Sequence, residues 1–275
     1  MKKTLGITLS IAAIVSVFTG CGSTKISLHD SSPIAVISII GNTQIPWVDE
    51  ESEFTTATGE PEAENFLTSM ANRITDSQNP EILTAVDRLD YAYDSANINL
   101  LELAGCTVIP KEELLASEAY TYIRPSYFNM FSATKTATGF KDLVMIGSKN
   151  ARYLIEETGA KSILAMSFTF QKELKRGTKS NGIIAGVVTM KARFLNNRGN
   201  EVLNKLFVAK TSEPIKIING QYNKDTLVEE VNEAIDDVIR QFCMELSKMS
   251  SDAEILPEET ESEIQGTPIK MKEAE

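Results

Sequence analysis

The sequence is poor in the groups that most enzymes use. Among 275 residues it has one histidine, His29, three cysteines and one tryptophan. A single imidazole excludes multi-histidine zinc sites and any Ser-His-Asp triad that does not use His29. His29 stands beside Asp30 in a polar stretch, the setting of an exposed tether residue. Positive charge is also scarce: 27 Lys and Arg face 38 Asp and Glu, for a formal charge of −11. Such a chain is a poor ligand for nucleic-acid phosphate. No Walker loop, dinucleotide fingerprint or Gly-x-Ser-x-Gly elbow occurs, and there are no internal repeats. No cofactor is implied. What is present is ordinary: 42% hydrophobic and 24% charged residues, with 15 Gly and 9 Pro. That is the composition of a folded globular chain with ample core.

The N-terminus carries the clearest signal. Met1 to Lys3 are cationic at their end, and the apolar run Leu5 to Phe18 follows. It is shorter than the about 20 residues a spanning helix needs and reads as a signal-peptide core. Phe18-Thr19-Gly20-Cys21 resembles the bacterial lipobox. The resemblance implies cleavage before Cys21, a diacylglycerol thioether on its sulfur and acylation of the new N-terminus. Phe18 departs from the usual Leu, Val, Ile or Ala, a relaxation seen in spirochaetes and some other diderms. The other reading is a secretory signal with a chance cysteine. At about 0.8 kcal/mol per buried CH₂, two or three chains anchor a protein stably. Anionic headgroups repel so acidic a body, so the lipid must hold it. Gly22 follows the anchor in place of an inner-membrane retention Asp. This favours the outer membrane, with the body facing the periplasm or the cell surface.

The chain then divides into a signal peptide (1–20), a tether (21–32), a single α/β domain (33–249) and an acidic disordered tail (250–275). Ile34 to Ile40 is nearly all apolar and β-branched, a strand buried on both faces. Residues 42–61 read as an acidic loop, and Phe66, Met70 and Ile74 as a helix. Asn79-Pro80 starts a helix with an apolar stripe from Ile82 through Val86, Leu89, Tyr93, Ala96 and Leu100 to Leu103, closed by Gly105. Cys106–Ile109 reads as a short strand and Lys111–Ala119 as a helix. A further helix runs from an N-cap at Ser148 to Gly159. Leu164 to Gln171, Val188 to Phe194 and Glu201 to Lys210 alternate as strands, with a turn at Asn196–Gly199. Pro214 to Gly220 suits a short irregular strand. Leu227, Val231, Ile235, Val238, Phe242, Leu246 and Met249 stripe a final helix, with Thr226 and Glu229 at capping-box spacing. Cys106 and Cys243 sit in apolar contexts. An exported compartment permits a disulfide, and two buried thiols fit equally.

Several segments resemble a family of small envelope lipoproteins, which includes the curli-secretion channel lipoprotein and lipoprotein activators of peptidoglycan synthases. They are the strand Ile34–Ile40, Leu103 to Leu114, Ala151 to Ile163 and Ala192 to Leu203. The resemblance implies an α/β (α+β) fold. It has a mixed sheet with a buried N-terminal strand, a C-terminal antiparallel meander and helices packed on the sheet. It also implies a non-enzymatic assembly or accessory role. The turn around Lys175–Gly182 is too short for membrane-inserting hairpins, so pore formation is not implied.

Candidate chemistry is thin. Ser132-Ala133-Thr134-Lys135 has Ser-x-x-Lys spacing, with Ser148-Lys149-Asn150 and Lys175-Arg176-Gly177 after it. The last lacks its hydroxyl residue, and all three fall too close together to enclose a penicillin-binding domain. Asp49, Glu50, Glu51 and Glu53 offer oxygens without EF-hand spacing. Two features suit partners. Lys172, Lys175, Arg176 and Lys179 gather at a hairpin tip on an acidic chain, where they would meet an anionic surface or merely face water. Tyr120, Tyr122, Tyr127, Phe128 and Phe131, with Trp47, suit a docking surface or a satellite core. The expected partners are a lipid bilayer through acylated Cys21 and another envelope protein or a second copy of the chain. The alternative is a small-molecule- or lipid-binding lipoprotein.

Overall fold

The computed structural model describes residues 27–48, 79–125 and 134–254. In chain order its elements are α1 (Leu28–Ser31), β1 (Ile34–Asn42), α2 (Pro80–Leu83), α3 (Ala85–Ala104), α4 (Lys111–Ala116) and α5 (Glu118–Tyr122). There follow β2 (Thr134–Thr136), α6 (Ser148–Thr158), β3 (Ser162–Gly177), β4 (Gly182–Leu195), β5 (Glu201–Lys210), β6 (Ile215–Ile217) and α7 (Lys224–Glu254).

A strand with no polar face must be covered on both sides. In β1 every residue except Asn42 is buried. It pairs parallel with β3 and antiparallel with the short edge strand β2. β3, β4 and β5 follow as an antiparallel meander, giving the order β2-β1-β3-β4-β5, with β6 on the far part of β4. The result is an α+β fold on a six-stranded mixed sheet.

Helices α3 and α7 lie together on one face. Leu89, Ala92, Ala96 and Leu100 of α3 and Val231, Ile235, Val238, Phe242 and Leu246 of α7 are buried. Each large aliphatic so placed contributes roughly 1.5–3 kcal/mol. The Phe242 ring sits 6.4 Å from Phe194 and 5.9 Å from Phe207. Tyr91 and Ser95 of α3 both donate hydroxyl hydrogen bonds to the Asp236 carboxylate of α7. On β1, Gly41 turns toward α3, where an added Cβ would come within 2.9 Å of Leu89 and Phe170. Ser38, on the alternate face, accepts the Leu143 N–H at 3.1 Å. The segment around Leu143 and the short helices α4 to α6 therefore cover the other side of the sheet's centre.

The two ends of the domain differ. At one end the chain enters: Leu28 N donates to Ser250 Oγ at 3.4 Å, and Ile34 pairs with Ser162. At the other, β3 and β4 project to the turn between Gly177 and Gly182. Sixteen residues of β3 make that distance about 50 Å.

Several elements differ in detail from the sequence pattern. The long helix begun at Asn79-Pro80 breaks at Thr84, giving α2 and α3, and Gly105 closes α3 in the left-handed region at φ 63°. Cys106–Ile109 makes only a single bridge, Val108 to Ile34. Ser117 splits the helix after Pro110, because its hydroxyl caps a new one by accepting Tyr120 N. Gly147 rather than Ser148 is the N-cap of α6. Helix α7 starts earlier than its capping-box spacing suggests. Asn223 Oδ1 accepts the N–H groups of Asp225 and Thr226, displacing Thr226 from the capping role. Its far end runs to Glu254, beyond the sequence-based start of the tail. Leu28–Ser31 is a short helix within the tether. The signal peptide, residues 49–61 of the acidic loop, the 66–74 helix and the tail beyond Glu254 lie outside the described residues.

Candidate functional site

The β3–β4 tip is built by backbone constraint. Gly177 has φ 90°, and an added Cβ would meet Asn181 O at 2.5 Å, so only glycine closes this turn. Thr178 N donates to Asn181 O at 2.9 Å. A second turn docks on it: Gly220 N donates to Ser180 O at 2.8 Å, and Asn219 N to Asn181 Oδ1 at 3.1 Å. Lys216 of β6 is thereby brought beside Arg176. Both line a shallow cleft of about 330 Å³ with Ile183, Ile217 and Ile218. Lys175 lies 3.2 Å from Glu173, whose carboxylate also accepts Lys210 Nζ at 2.7 Å. Burial alone would raise the Glu173 carboxyl, but Lys210 and Lys175 outweigh it and hold it below the ordinary carboxylate range. The Lys179 ammonium stands 4.8 Å from the Trp47 ring, a cation–π arrangement.

Lys172 does not belong to this surface. It is 8% exposed, and its ammonium donates to Ile45 O while lying 5.5 Å from Trp47 and 5.6 Å from Tyr222. Its backbone pairs with Pro46 O and Val48 N. Lys172 is thus part of a buried polar knot that ties down residues 43–48. Glu81 accepts Ile45 N at 2.9 Å and the Tyr222 hydroxyl at 2.8 Å. Arg88, 1% exposed, donates to Thr43 O and Thr84 Oγ1, each at 3.0 Å, with its guanidinium 5.0 Å from the Phe170 ring centre. Burial lowers Arg88 to about 10, against the opposing pull of Glu81 and Asp87.

The aromatic set also divides. Tyr120 is buried, donates its hydroxyl to Ile37 O at 3.1 Å and accepts Lys141 N at 2.7 Å. Burial pushes its phenol up to about 12. Tyr120 is therefore core and unavailable as a docking residue. Lys141 Nζ caps α5 by donating to Tyr120 O, Thr121 O and Ile123 O. Tyr122, by contrast, is 75% exposed and stacks edge-on with Tyr153 at 6.4 Å. Exposed Met145 and a cleft of about 200 Å³ beside Arg124, Asp142 and Asn150 adjoin it. Met145, Tyr153, Arg124 and Lys216 come from separate segments, and no local pattern marks them. Tyr127, Phe128 and Phe131 lie outside the described residues, as does Cys21.

No reactive constellation assembles among the described residues. Ser148 opens α6 beside the Gly199 turn, at the opposite end of β4 from Lys175, so these two penicillin-binding-like motifs do not converge; Ser132 of the third lies outside the described residues. No group of three His, Cys, Asp or Glu is placed to hold a metal there. Cys106 and Cys243 are both buried free thiols. Burial, reinforced by nearby Cys106, pushes Cys243 up to about 12, which makes it inert. Among the described residues no helix is long and apolar enough to cross a membrane.

No family model matches the chain, and no curated protein matches it. Among solved structures it is similar to the LpoB C-terminal domain from Salmonella enterica. The identity is 11%, over 65% of this chain and 82% of that one, with a TM-score of 0.25. Protein XCC0632 from Xanthomonas campestris is similar at 12% identity, over 44% of this chain and 72% of that one, with a TM-score of 0.27. Similarity at this level carries no argument about what this chain does.

Proposed function

We propose that the chain is a lipid-anchored, non-enzymatic envelope protein that docks another envelope protein. Acylation of Cys21 moors it, with the outer membrane favoured. The observation that carries this reading is the separation of two ends. The chain enters at Leu28, and the cationic tip of Lys175, Arg176 and Lys216 stands at the other end of β3. On a chain whose full sequence carries a formal charge of −11, a local cationic surface selects acidic partners by complementarity. Tyr122, Tyr153 and Met145 supply a second exposed patch of the residue types that anchor interfaces.

The test is crosslinking in intact cells from a photoreactive residue at position 176, read by mass spectrometry. A reproducible adduct with a different envelope protein is expected. Recovery of nothing but copies of this chain overturns the proposal.

A further inference from the structure

We propose that the ends of α3 and α7 nearest the chain entry seat directly on the bilayer surface, so that the cationic tip points away from it. This rests on the acylation of Cys21 proposed above. Ile98, Leu101 and Leu103 of α3 and Met244 of α7 are 55%, 57%, 42% and 53% exposed. They share one end of the helical layer, where Ser247 Oγ donates to Leu103 O at 2.8 Å and joins the two helices.

The occupant follows from where the chain leaves the described domain. Leu28 N is fixed to Ser250 Oγ, and Cys106 Sγ lies 3.9 Å from Leu28 O. Ser250 stands six residues beyond Met244 on the same helix, about 9 Å along its axis. Only five residues lie between Cys21 and Ser27, a span of at most about 20 Å. An acyl anchor at Cys21 therefore keeps the apolar end within reach of the interface. Exposed Asp94, Glu102 and Asp237 lie along these helices with exposed Arg240 and Lys248, so the contact rests on the apolar side chains and the anchor rather than on charge. Four exposed aliphatic side chains on a short leash beside a bilayer lower their free energy by entering the headgroup–acyl boundary.

The single tryptophan makes the orientation measurable. Trp47 pairs with Lys172, ten residues along β3 from Ser162. That places it about 33 Å from the entry end. The full acylated chain is reconstituted in vesicles of phosphatidylcholine brominated on its acyl chains, which quench indole on contact. Trp47 keeps its emission. Leu101→Trp and, separately, Met244→Trp add emission that is mostly lost. If mass spectrometry finds Cys21 acylated and the protein sediments with the vesicles, yet neither added indole is quenched, the seat is wrong while the anchor stands. The same holds if the added indoles are already shielded without lipid, by a second copy or another part of the chain. Quenching of Trp47 reverses the orientation. If Cys21 carries no lipid, the anchoring reading fails, and the seat fails with it.

Discussion

Lys172 and Lys175 lie three residues apart on one strand and have opposite fates. Lys172 points under the 43–48 segment, where Ile45 O, Trp47 and Tyr222 receive its ammonium. Lys175 projects into water beside Glu173. Lys172 is on a regular stretch of β3, whereas the register with β4 slips at Lys175, between Leu174 and Arg176, and only the Lys172 side is roofed. The buried cation helps hold a loop. The exposed one pairs only with Glu173 at the surface and, with Arg176 and Lys216, faces water where a partner can reach it. A cationic run in a sequence therefore joins two physical objects that differ in energetic worth.

The comparison is tested most severely at Glu81. Glu81→Leu removes the acceptor of Ile45 N and the Tyr222 hydroxyl, and the anion whose field offsets buried Arg88. Breaking a buried charge constellation costs about 3–5 kcal/mol. Urea denaturation reads this as a large fall in midpoint. Lys172→Met keeps the stem but strips Ile45 O of its donor, for a loss of about 1–3 kcal/mol. Lys175→Met is expected to stay within about 0.5 kcal/mol of the parent. Equal losses at Lys172 and Lys175 would erase the distinction.

The same division runs through the tyrosines. Tyr120→Phe strands Ile37 O and Lys141 N in the core, for a loss of about 1–3 kcal/mol, whereas Tyr122→Phe touches no buried partner. Alkaline pH sharpens the contrast. Burial holds Tyr91 and Tyr120 neutral up to about 12, and raises Tyr222 as well, from an ordinary value of 10.0. The folded state then binds more protons than the unfolded chain between pH 10 and about pH 12, so stability falls as pH rises across that window. Denaturation midpoints measured from pH 9 upward should show the decline, and Tyr120→Phe should flatten part of it.

The legibility of the chain follows the same line. The buried first strand, the α3 and α7 stripes and the period-two strands were readable, because periodicity reports which face is covered. Gly105 and Gly159 marked helix ends, since both take φ values only glycine holds cheaply. What lay beyond reach was contact between distant segments. Nothing near Lys172 announces Glu81, Arg88 or Tyr222 as its companions. Tyr120 and Tyr122 are two residues apart and identical in type, yet only the first meets Ile37. Lys216 joins the tip because β6 returns to β4, a long-range pairing that no local motif encodes. Cys21 carries the anchoring reading through its neighbours alone, by resemblance.

The smallest expected effect on stability is the most informative about function. Replacing Lys175, Arg176 and Lys216 with glutamate reverses the charge of the tip without removing a buried contact. Lys179 is left in place, because its ammonium stacks over Trp47 and a change there would disturb the roofed segment. Each surface substitution should shift stability by no more than about 0.5 kcal/mol, and Tm should stay near the parent's. Crosslinking to the partner from position 122, on the aromatic patch, should fall several-fold if the two surfaces serve one interface. If the crosslink persists at full yield, the exposed cations are as idle in binding as they are in folding. Docking would then rest on Tyr122, Tyr153 and Met145.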